Sequence, residues 1–459
     1  MSSTYVQTTP VGPRGLAGRF LILGGVFLAL GIACGASQEV EPAAAKAEPV
    51  VVEANPKAES EAIALPSSPS TYADELAALD QRIAAIRQRA RTTVPSWLTL
   101  QTLAGALSER AHLSGDYDDY GAAEATLAEA FELAAEGSGP LMTRARLHFT
   151  LHRIDPALAD LESAAKRINL KDYEQAALDG LRADIAFQRG DYAEALATFE
   201  KQATAKPSLG TLSRLAKYRW KTGDFDGADA LFVEALAAYK GTSAQPRAWL
   251  RLMRGLLDLD RGRHRQAYAH YQNAAAEFSG YWLVDEHIAE IRGILGETAA
   301  AKTLYVDLIE RTDNPEFMDA LADILEEGGD KEGAKTLRLR AKSAYESLLQ
   351  RYPEAAAGHA IAHYLDDPSD EAKAQALELA KANHRLRPNG AAQILLARAL
   401  LGVGEIERAK ATVATALAGP WRSAGLHEVA SAVFAAAGDS TRADAELAKA
   451  RAIDPTIGD

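Results

Sequence analysis

The 459-residue sequence has almost no sulfur chemistry available, because it contains a single cysteine, Cys34. One thiol forms neither an internal disulfide nor a zinc cluster, so packing alone must stabilise the fold. A basic excess is also absent, since 63 acidic and 50 basic side chains give a net charge of -13. Binding to nucleic acid needs a basic stripe that neutralises phosphates. We therefore expect no nucleic-acid partner, and the acidic excess favours basic partners instead.

The short motifs that carry common enzyme chemistry are missing as well. Neither a glycine-rich phosphate loop nor a G-x-S-x-G nucleophile elbow occurs in the sequence. No segment of useful length alternates apolar and polar residues as a half-buried strand does. The lack of strand-like segments favours an all-α protein. We expect no cofactor and no enzymatic activity, although the absence of these motifs does not by itself exclude an enzyme.

The one long hydrophobic run, residues 20–33, lies near the N-terminus and ends directly at Cys34. Fourteen residues are too few for a membrane-spanning helix, which needs about 20, but they suit the core of a secretory signal. The stretch LGIAC (30–34) resembles a bacterial lipoprotein cleavage box, with its leucine one place further from the cysteine than in that family. The resemblance implies a signal peptide over 1–34 and lipidation at Cys34, so that the protein is exported to the cell envelope and anchored at the periplasmic face or the outer membrane. A plain secretory signal and an uncleaved anchor are the alternatives.

The segment after the cysteine has the composition of a linker. Residues 35–70 are rich in Ala, Pro, Glu and Ser and contain no aromatic residue, which predicts a flexible, disordered tether. Residues 71–103 read as one or two helices that cap the region behind them. From residue 104 to 457 the pattern is helix after helix.

A repeat of about 34 residues organises this helical region. Glycine stands five residues before the repeated alanine in seven repeats, a small residue stands twelve before it in nine, and a large apolar residue follows four later in eight. The small residues allow two helices to approach closely as a hairpin, and the glycine ends the first helix. Since one hairpin cannot bury its apolar face, successive hairpins must stack. The repeated alanines are Ala123, Ala157, Ala195, Ala228, Ala267, Ala301, Ala334, Ala376, Ala409 and Ala443.

Two segments show which repeat this is. RGDYAEALATFEK (189–201) and TGDFDGADALFVEALAAY (222–239) resemble the turn and second helix of the tetratricopeptide repeat. The resemblance implies an α-solenoid of about ten antiparallel hairpins. It also implies that the first helices line a concave groove that binds protein or peptide partners.

Projecting the repeat register onto the sequence gives a candidate surface for that groove. We expect an acidic, solvated face beside a histidine pair, with tryptophans that either anchor a partner or fill the core between repeats. The candidate residues are Glu286, Glu290, Glu316, Asp319, Asp323, Glu326, His359, His363, Trp220, Trp249 and Trp282.

The predicted function is a lipid-anchored binding scaffold outside the cytoplasm, of a kind used in envelope assembly. Two alternatives remain open. Histidines at positions i and i+4 of a helix, such as His359 and His363, can hold one metal ion together with nearby carboxylates. Their segment GHAIAH (358–363) lacks the glutamate of a zinc protease, which speaks against a hydrolase. The second alternative is a structural protein whose array associates with itself.

Overall fold

A computed structural model describes residues 71–92, 94–167 and 170–458 of the chain. Cys34, the predicted signal peptide and the predicted tether lie outside the described residues. Within the described ranges the chain forms 21 helices and no strand, which confirms the all-α prediction. None of these helices is long and apolar enough to cross a bilayer.

One helix, α1 (Tyr72–Thr92), precedes ten hairpins of consecutive helices. Hairpin 1 begins at Trp97, a few residues before the predicted start of the array. The hairpins are α2 (Trp97–Ser114) with α3 (Tyr117–Leu133), α4 (Leu141–Thr150) with α5 (Ile154–Ala165), α6 (Asp172–Arg189) with α7 (Tyr192–Ala205), α8 (Leu209–Lys221) with α9 (Phe225–Ala238), α10 (Gln245–Leu259) with α11 (His264–Glu277), α12 (Trp282–Ile294) with α13 (Thr298–Thr312), α14 (Pro315–Glu327) with α15 (Lys331–Arg351), α16 (Pro353–Asp366) with α17 (Asp370–Leu386), α18 (Gly390–Gly402) with α19 (Ile406–Ala418), and α20 (Ala424–Ala436) with α21 (Ser440–Ile453).

The repeated small residues hold the two helices of each hairpin together. All ten repeat alanines are buried, each with at most 6% of its surface exposed. The seven repeat glycines all have positive φ, between 66° and 91°, which ends the first helix and lets the chain reverse. The solenoid of ten hairpins is thereby confirmed residue by residue.

Two hairpins make their turn without glycine. In hairpin 2 the glycine position is taken by His152, whose φ of 59° is unusual for a residue with a side chain. Its Nδ1 atom lies 3.3 Å from the carbonyl oxygen of Glu354, so a distant part of the chain helps to hold this turn. In hairpin 8, Ser369 caps α17 by accepting a hydrogen bond from the backbone N–H of Ala372.

The array winds so tightly that one superhelical turn rests on the next. The turn of hairpin 2 contacts the start of hairpin 8 through His152 and Glu354. The turns of hairpins 3 and 4 contact the starts of hairpins 9 and 10 in the same way, which gives a constant offset of six hairpins. The bonds run from Asn389 Nδ2 to Gln188 Oε1 at 2.8 Å, from Gly390 N to Tyr192 Oη at 2.8 Å, and from Arg422 N to Lys221 O at 2.8 Å.

The N-terminal end of the array also contacts the second superhelical turn. Trp282 Nε1 donates to the carbonyl oxygen of Leu113 at 2.9 Å, and Tyr352 Oη donates to that of Tyr117 at 3.0 Å. These partners are 169 and 235 residues apart in sequence. At the start of α1, the backbone N–H of Tyr72 bonds to the carbonyl oxygen of Ser279 at 3.0 Å. The first and second superhelical turns are therefore joined by individual hydrogen bonds at the ends of their hairpins.

Overpacking one hairpin should cost stability. Replacing Ala228 by leucine inserts three carbon atoms at a helix crossing where no surface is exposed, and we expect a loss of about 1–3 kcal/mol in the free energy of unfolding. Ala230, on the exposed side of the same helix, is the matched control, and its change to leucine should stay within about 0.5 kcal/mol. Denaturant titration of both variants measures the difference, and the reverse order would show that the register is wrong.

Candidate functional site

The residues predicted to line the groove lie together, but most of them are covered by the rest of the chain. Glu286, Glu290 and Glu316 are each at most 5% exposed. Our expectation of a solvated acidic face is therefore wrong for these three carboxylates, because side chains of their own and neighbouring hairpins, such as His287 and His359, pack against them. Whether any of these residues contacts a partner stays a prediction.

The most enclosed group is on the inner face of α12. His287, which the register analysis did not select, lies between two of the selected carboxylates, with its Nδ1 atom 3.0 Å from both Glu286 Oε2 and Glu290 Oε2. The ring of Tyr271 stacks on the imidazole with centroids 5.5 Å apart. His287 is only 2% exposed. The sequence contained a clue to this residue. His287 lies between Glu286 and Glu290 within one helical turn, so its side chain is close to the inner face on which the two glutamates were placed.

Electrostatics favours an imidazolium at this position. Burial alone would lower the pKa of His287, but the carboxylates of Glu286 and Glu290 outweigh it and raise the pKa to about 10. Burial and the neighbouring charges of Glu286 and Glu316 raise the pKa of Glu290 to about 7, while His287 opposes that rise. One proton on the histidine therefore offsets part of the negative charge that burial makes costly.

The predicted histidine pair is split between two carboxylates. His359 Nδ1 lies 3.3 Å from Glu316 Oε2, and His363 Nδ1 lies 2.9 Å from Asp319 Oδ2. These contacts join the first helices of hairpins 7 and 8, as the projected register implies. Burial lowers the pKa of His359, but the charge of Glu316 outweighs that effect and gives a net rise.

The remaining acidic candidates are paired within their own hairpin. Arg338 lies 2.9 Å from Asp323 Oδ1 and 2.5 Å from Glu326 Oε2. Arg338 stands where most repeats have a large apolar residue, so this hairpin has an ion-pair network in place of that contact. The Glu326 side chain keeps about half of its surface in solvent.

All three tryptophans belong to the core rather than to an open groove. Trp220 donates from Nε1 to Asp260 Oδ2 at 2.8 Å, and Trp282 forms the bond to Leu113 that joins two superhelical turns. Trp249 lies beneath the ammonium group of Lys217, which is 5.0 Å from its ring centroid. Of the two interpretations, core packing describes these side chains.

The described residues contain one group of three side chains whose donor atoms lie near enough to share a metal ion. This group is Glu286, His287 and Glu290, with the donor atoms within 4.8 Å of one another. It does not include His359 or His363, whose ring nitrogens face different carboxylates. The metal-binding alternative at those two histidines stays a prediction.

Comparisons with known proteins find similar solved structures but no similar sequence family. No family model matches the chain, and no curated protein matches it either. Among solved structures, yeast Tom70 is similar over 82% of this chain and 96% of its own, with 16% identity and a TM-score of 0.36. The tetratricopeptide repeat protein from Parabacteroides merdae covers 53% of this chain and 93% of its own, with 17% identity and a TM-score of 0.32. The human IFIT1 dimer with PPP-AAAA covers 82% and 94%, with 15% identity and a TM-score of 0.37.

The helices, their turns and their stacking define the class of this protein as an α-solenoid of helical hairpins. With the recurring buried alanine and the left-handed glycine, its repeats resemble the tetratricopeptide repeat.

Two buried histidines should have pKa values shifted in opposite directions from the ordinary value. We expect His287 to remain an imidazolium at about pH 8, because its pKa is raised to about 10. His152 should remain neutral at about pH 6, because burial and the charge of Arg387 hold its pKa well below the usual value. Nitrogen-15 NMR of histidine-labelled protein distinguishes the two states, with each peak assigned by a histidine-to-glutamine variant.

The stability that His287 contributes follows from the sign of its shift. Since folding raises this pKa, the contribution is fully present below about pH 6.5 and is lost as the pH rises through about 10. A His287 peak that titrates at or below pH 6.5 would contradict the ion-pair network described here.

Proposed function

We propose that this protein is a lipid-anchored scaffold of the bacterial cell envelope that binds protein or peptide partners. The observation that carries the proposal is the array of ten hairpins, an architecture whose extended helix surface suits the binding of other chains. The proposal combines this array with the predicted lipoprotein signal at Cys34. A net charge of -13 supports a partner with basic surface.

The partner surface in this proposal is the outside of the superhelix. Because the inner helix faces are largely covered, the second helix of each hairpin offers most of the accessible area. Three of these helices expose a large aliphatic side chain five residues after the repeat alanine, namely Val233, Val306 and Leu339, at 44%, 41% and 60% exposure. Exposed aliphatic side chains suit contacts with an apolar part of a partner surface.

The predicted tether sets how far the array stands from the membrane. A flexible chain of the 36 residues 35–70 has a root-mean-square span of roughly 30–36 Å. An array on such a tether can reach partners embedded in the same membrane and partners free in the surrounding compartment. Stable anchoring requires two acyl chains or more, which the lipoprotein modification of Cys34 would supply.

One experiment tests the anchor and the partner together. Cells that express the full-length chain are fed an alkyne fatty acid, treated with a membrane-permeant crosslinker and fractionated. The wild-type chain should carry the label, sediment with membranes and crosslink to a defined partner. The Cys34→Ser variant should lose the label and appear in the soluble fraction.

Two controls separate the parts of the proposal. A Ser37→Ala variant changes a residue just beyond the cysteine and should behave as wild type. Loss of the label without loss of the partner would mean that the anchor is dispensable for binding. An unlabelled wild-type chain would refute lipid anchoring, and crosslinks only between copies of the chain would favour the self-associating structural protein.

A further inference from the structure

A cavity lies inside the superhelix where hairpins 3 and 4 face hairpins 8 and 9. Its empty volume is about 770 Å³, part of which opens to solvent. Four cationic side chains line it, Arg214, Lys217, Lys221 and Arg387, against a single carboxylate, Asp184. The cavity is therefore strongly basic inside a protein whose overall charge is negative.

Two of the four cations are neutralised by carboxylates of the chain. Arg214 Nε lies 2.9 Å from each carboxylate oxygen of Asp184. Lys221 Nζ lies 3.2 Å from Asp260 Oδ2. Asp184, the one carboxylate among the lining residues, is thus used by Arg214. Asp260, which pairs with Lys221, lies outside the cavity wall.

Of the other two cations, Lys217 lies over the ring of Trp249, with its ammonium 5.0 Å from the ring centroid. Arg387 is the cation whose charge the cavity wall does not balance. It is 6% exposed, and no carboxylate of the described residues lies within ion-pair distance of its guanidinium. Its Nη2 donates to the amide oxygen of Asn383 at 2.6 Å, while its Nε has no acceptor among the described residues. Loss of hydration lowers the pKa of Arg387 to about 10, which leaves the group charged at neutral pH. A buried, charged group without an opposite charge is costly, and such groups are normally paired.

A second donor in the same wall also lacks a partner. Trp421 is 6% exposed, and its indole Nε1 has no acceptor among the described residues. Both side chains line the cavity, and each calls for a hydrogen-bond acceptor. Carboxylates and phosphates are such acceptors, and a guanidinium binds either of them with two parallel hydrogen bonds.

The rest of the wall is apolar and aromatic. Phe187 lies between Tyr218 and Trp421, with ring centroids 6.0 Å and 6.1 Å away, and Phe199 lies 6.5 Å from Tyr218. Leu395 completes this side. Sites for small molecules commonly combine such an apolar lining with a few converging polar groups.

We propose that this cavity binds a small organic anion, with its carboxylate or phosphate group on Arg387 and the Trp421 indole and its aromatic or aliphatic body against Phe187, Phe199 and Tyr218. The site is independent of the proposed envelope scaffold, so either can fail without the other.

Matched pairs of small molecules test the charge requirement directly. Isothermal titration calorimetry of the purified full-length chain compares phenylacetate with phenylacetamide, which has the same shape and no charge, and includes phenyl phosphate and inorganic phosphate. We expect phenylacetate or phenyl phosphate to bind at least tenfold more tightly than the amide. The stronger of the two identifies the acidic group, and weaker binding of inorganic phosphate shows that the apolar wall contributes. Absence of binding by both organic anions at millimolar concentration, or equal binding of acid and amide, would overturn the proposal.

Variants show whether Arg387 is the binding group. Arg387→Met should weaken binding of the organic anion at least tenfold, while Lys335→Met, which removes an exposed cation of α15, should leave it unchanged. Without ligand, Arg387→Met should unfold at the same temperature as wild type or higher, because an unpaired buried charge has been removed. A lower unfolding temperature with unchanged anion affinity would make Arg387 structural and contradict the assignment.

A second variant covers the case in which Arg387→Met does not fold. Trp421→Phe removes the second donor and should weaken binding by several-fold. Unchanged affinity of this variant would again refute the site.

Discussion

The docking of one superhelical turn on the next determines how the rest of this structure works. Solenoid hairpins normally contact only their neighbours in sequence. Here hairpins 2, 3 and 4 also contact hairpins 8, 9 and 10, through bonds between residues about 200 positions apart. Tight winding requires close helix crossings, which the buried alanines permit. The same winding converts the concave face that a more open array would present into the interior of the protein.

Closing the interior gives its charged groups a different role from the one that an open groove would give them. Ion pairs inside a protein add little net stability, since desolvation offsets much of their attraction. Their geometry is specific, however, and here it joins different hairpins, as the His359–Glu316 and His363–Asp319 contacts do. A hairpin in the wrong register would leave these charges buried without partners. These two pairs therefore help to select one stacking of hairpins 7 and 8.

Acidic and basic side chains occupy different parts of the interior. Carboxylates and histidines gather on hairpins 6, 7 and 8, whereas the charged side chains that line the cavity between hairpins 3, 4, 8 and 9 are mainly cations. The acidic group contains an internal counter-charge in His287. Arg387 has no carboxylate of this kind, although its surroundings are equally dry. This contrast is the physical reason for placing a ligand at the basic cavity rather than at the acidic group.

The sequence predicts local features of this fold well and its closure poorly. The seven glycines and ten alanines could be assigned because each has a local steric requirement that recurs at a fixed spacing. Closure depends on small rotations between successive hairpins that accumulate over six of them, and no single residue encodes their sum. For that reason Glu286 was expected in solvent although it is buried. The isolation of Arg387 from the carboxylates of the described residues could likewise not be read from its neighbours in sequence.

Crosslinking across the turns tests the closed superhelix most directly. Asp118 and Arg351 form an ion pair between hairpins 1 and 7, and both side chains are well exposed to solvent. In a Cys34→Ser background, Asp118→Cys with Arg351→Cys should be joined within one chain by a short bis-maleimide. The pair Asp285→Cys with Arg311→Cys, in contact within hairpin 6, is the positive control. Crosslinking of both pairs is the predicted result. Crosslinking of the control alone would contradict the closed structure and would leave the array as an open superhelix.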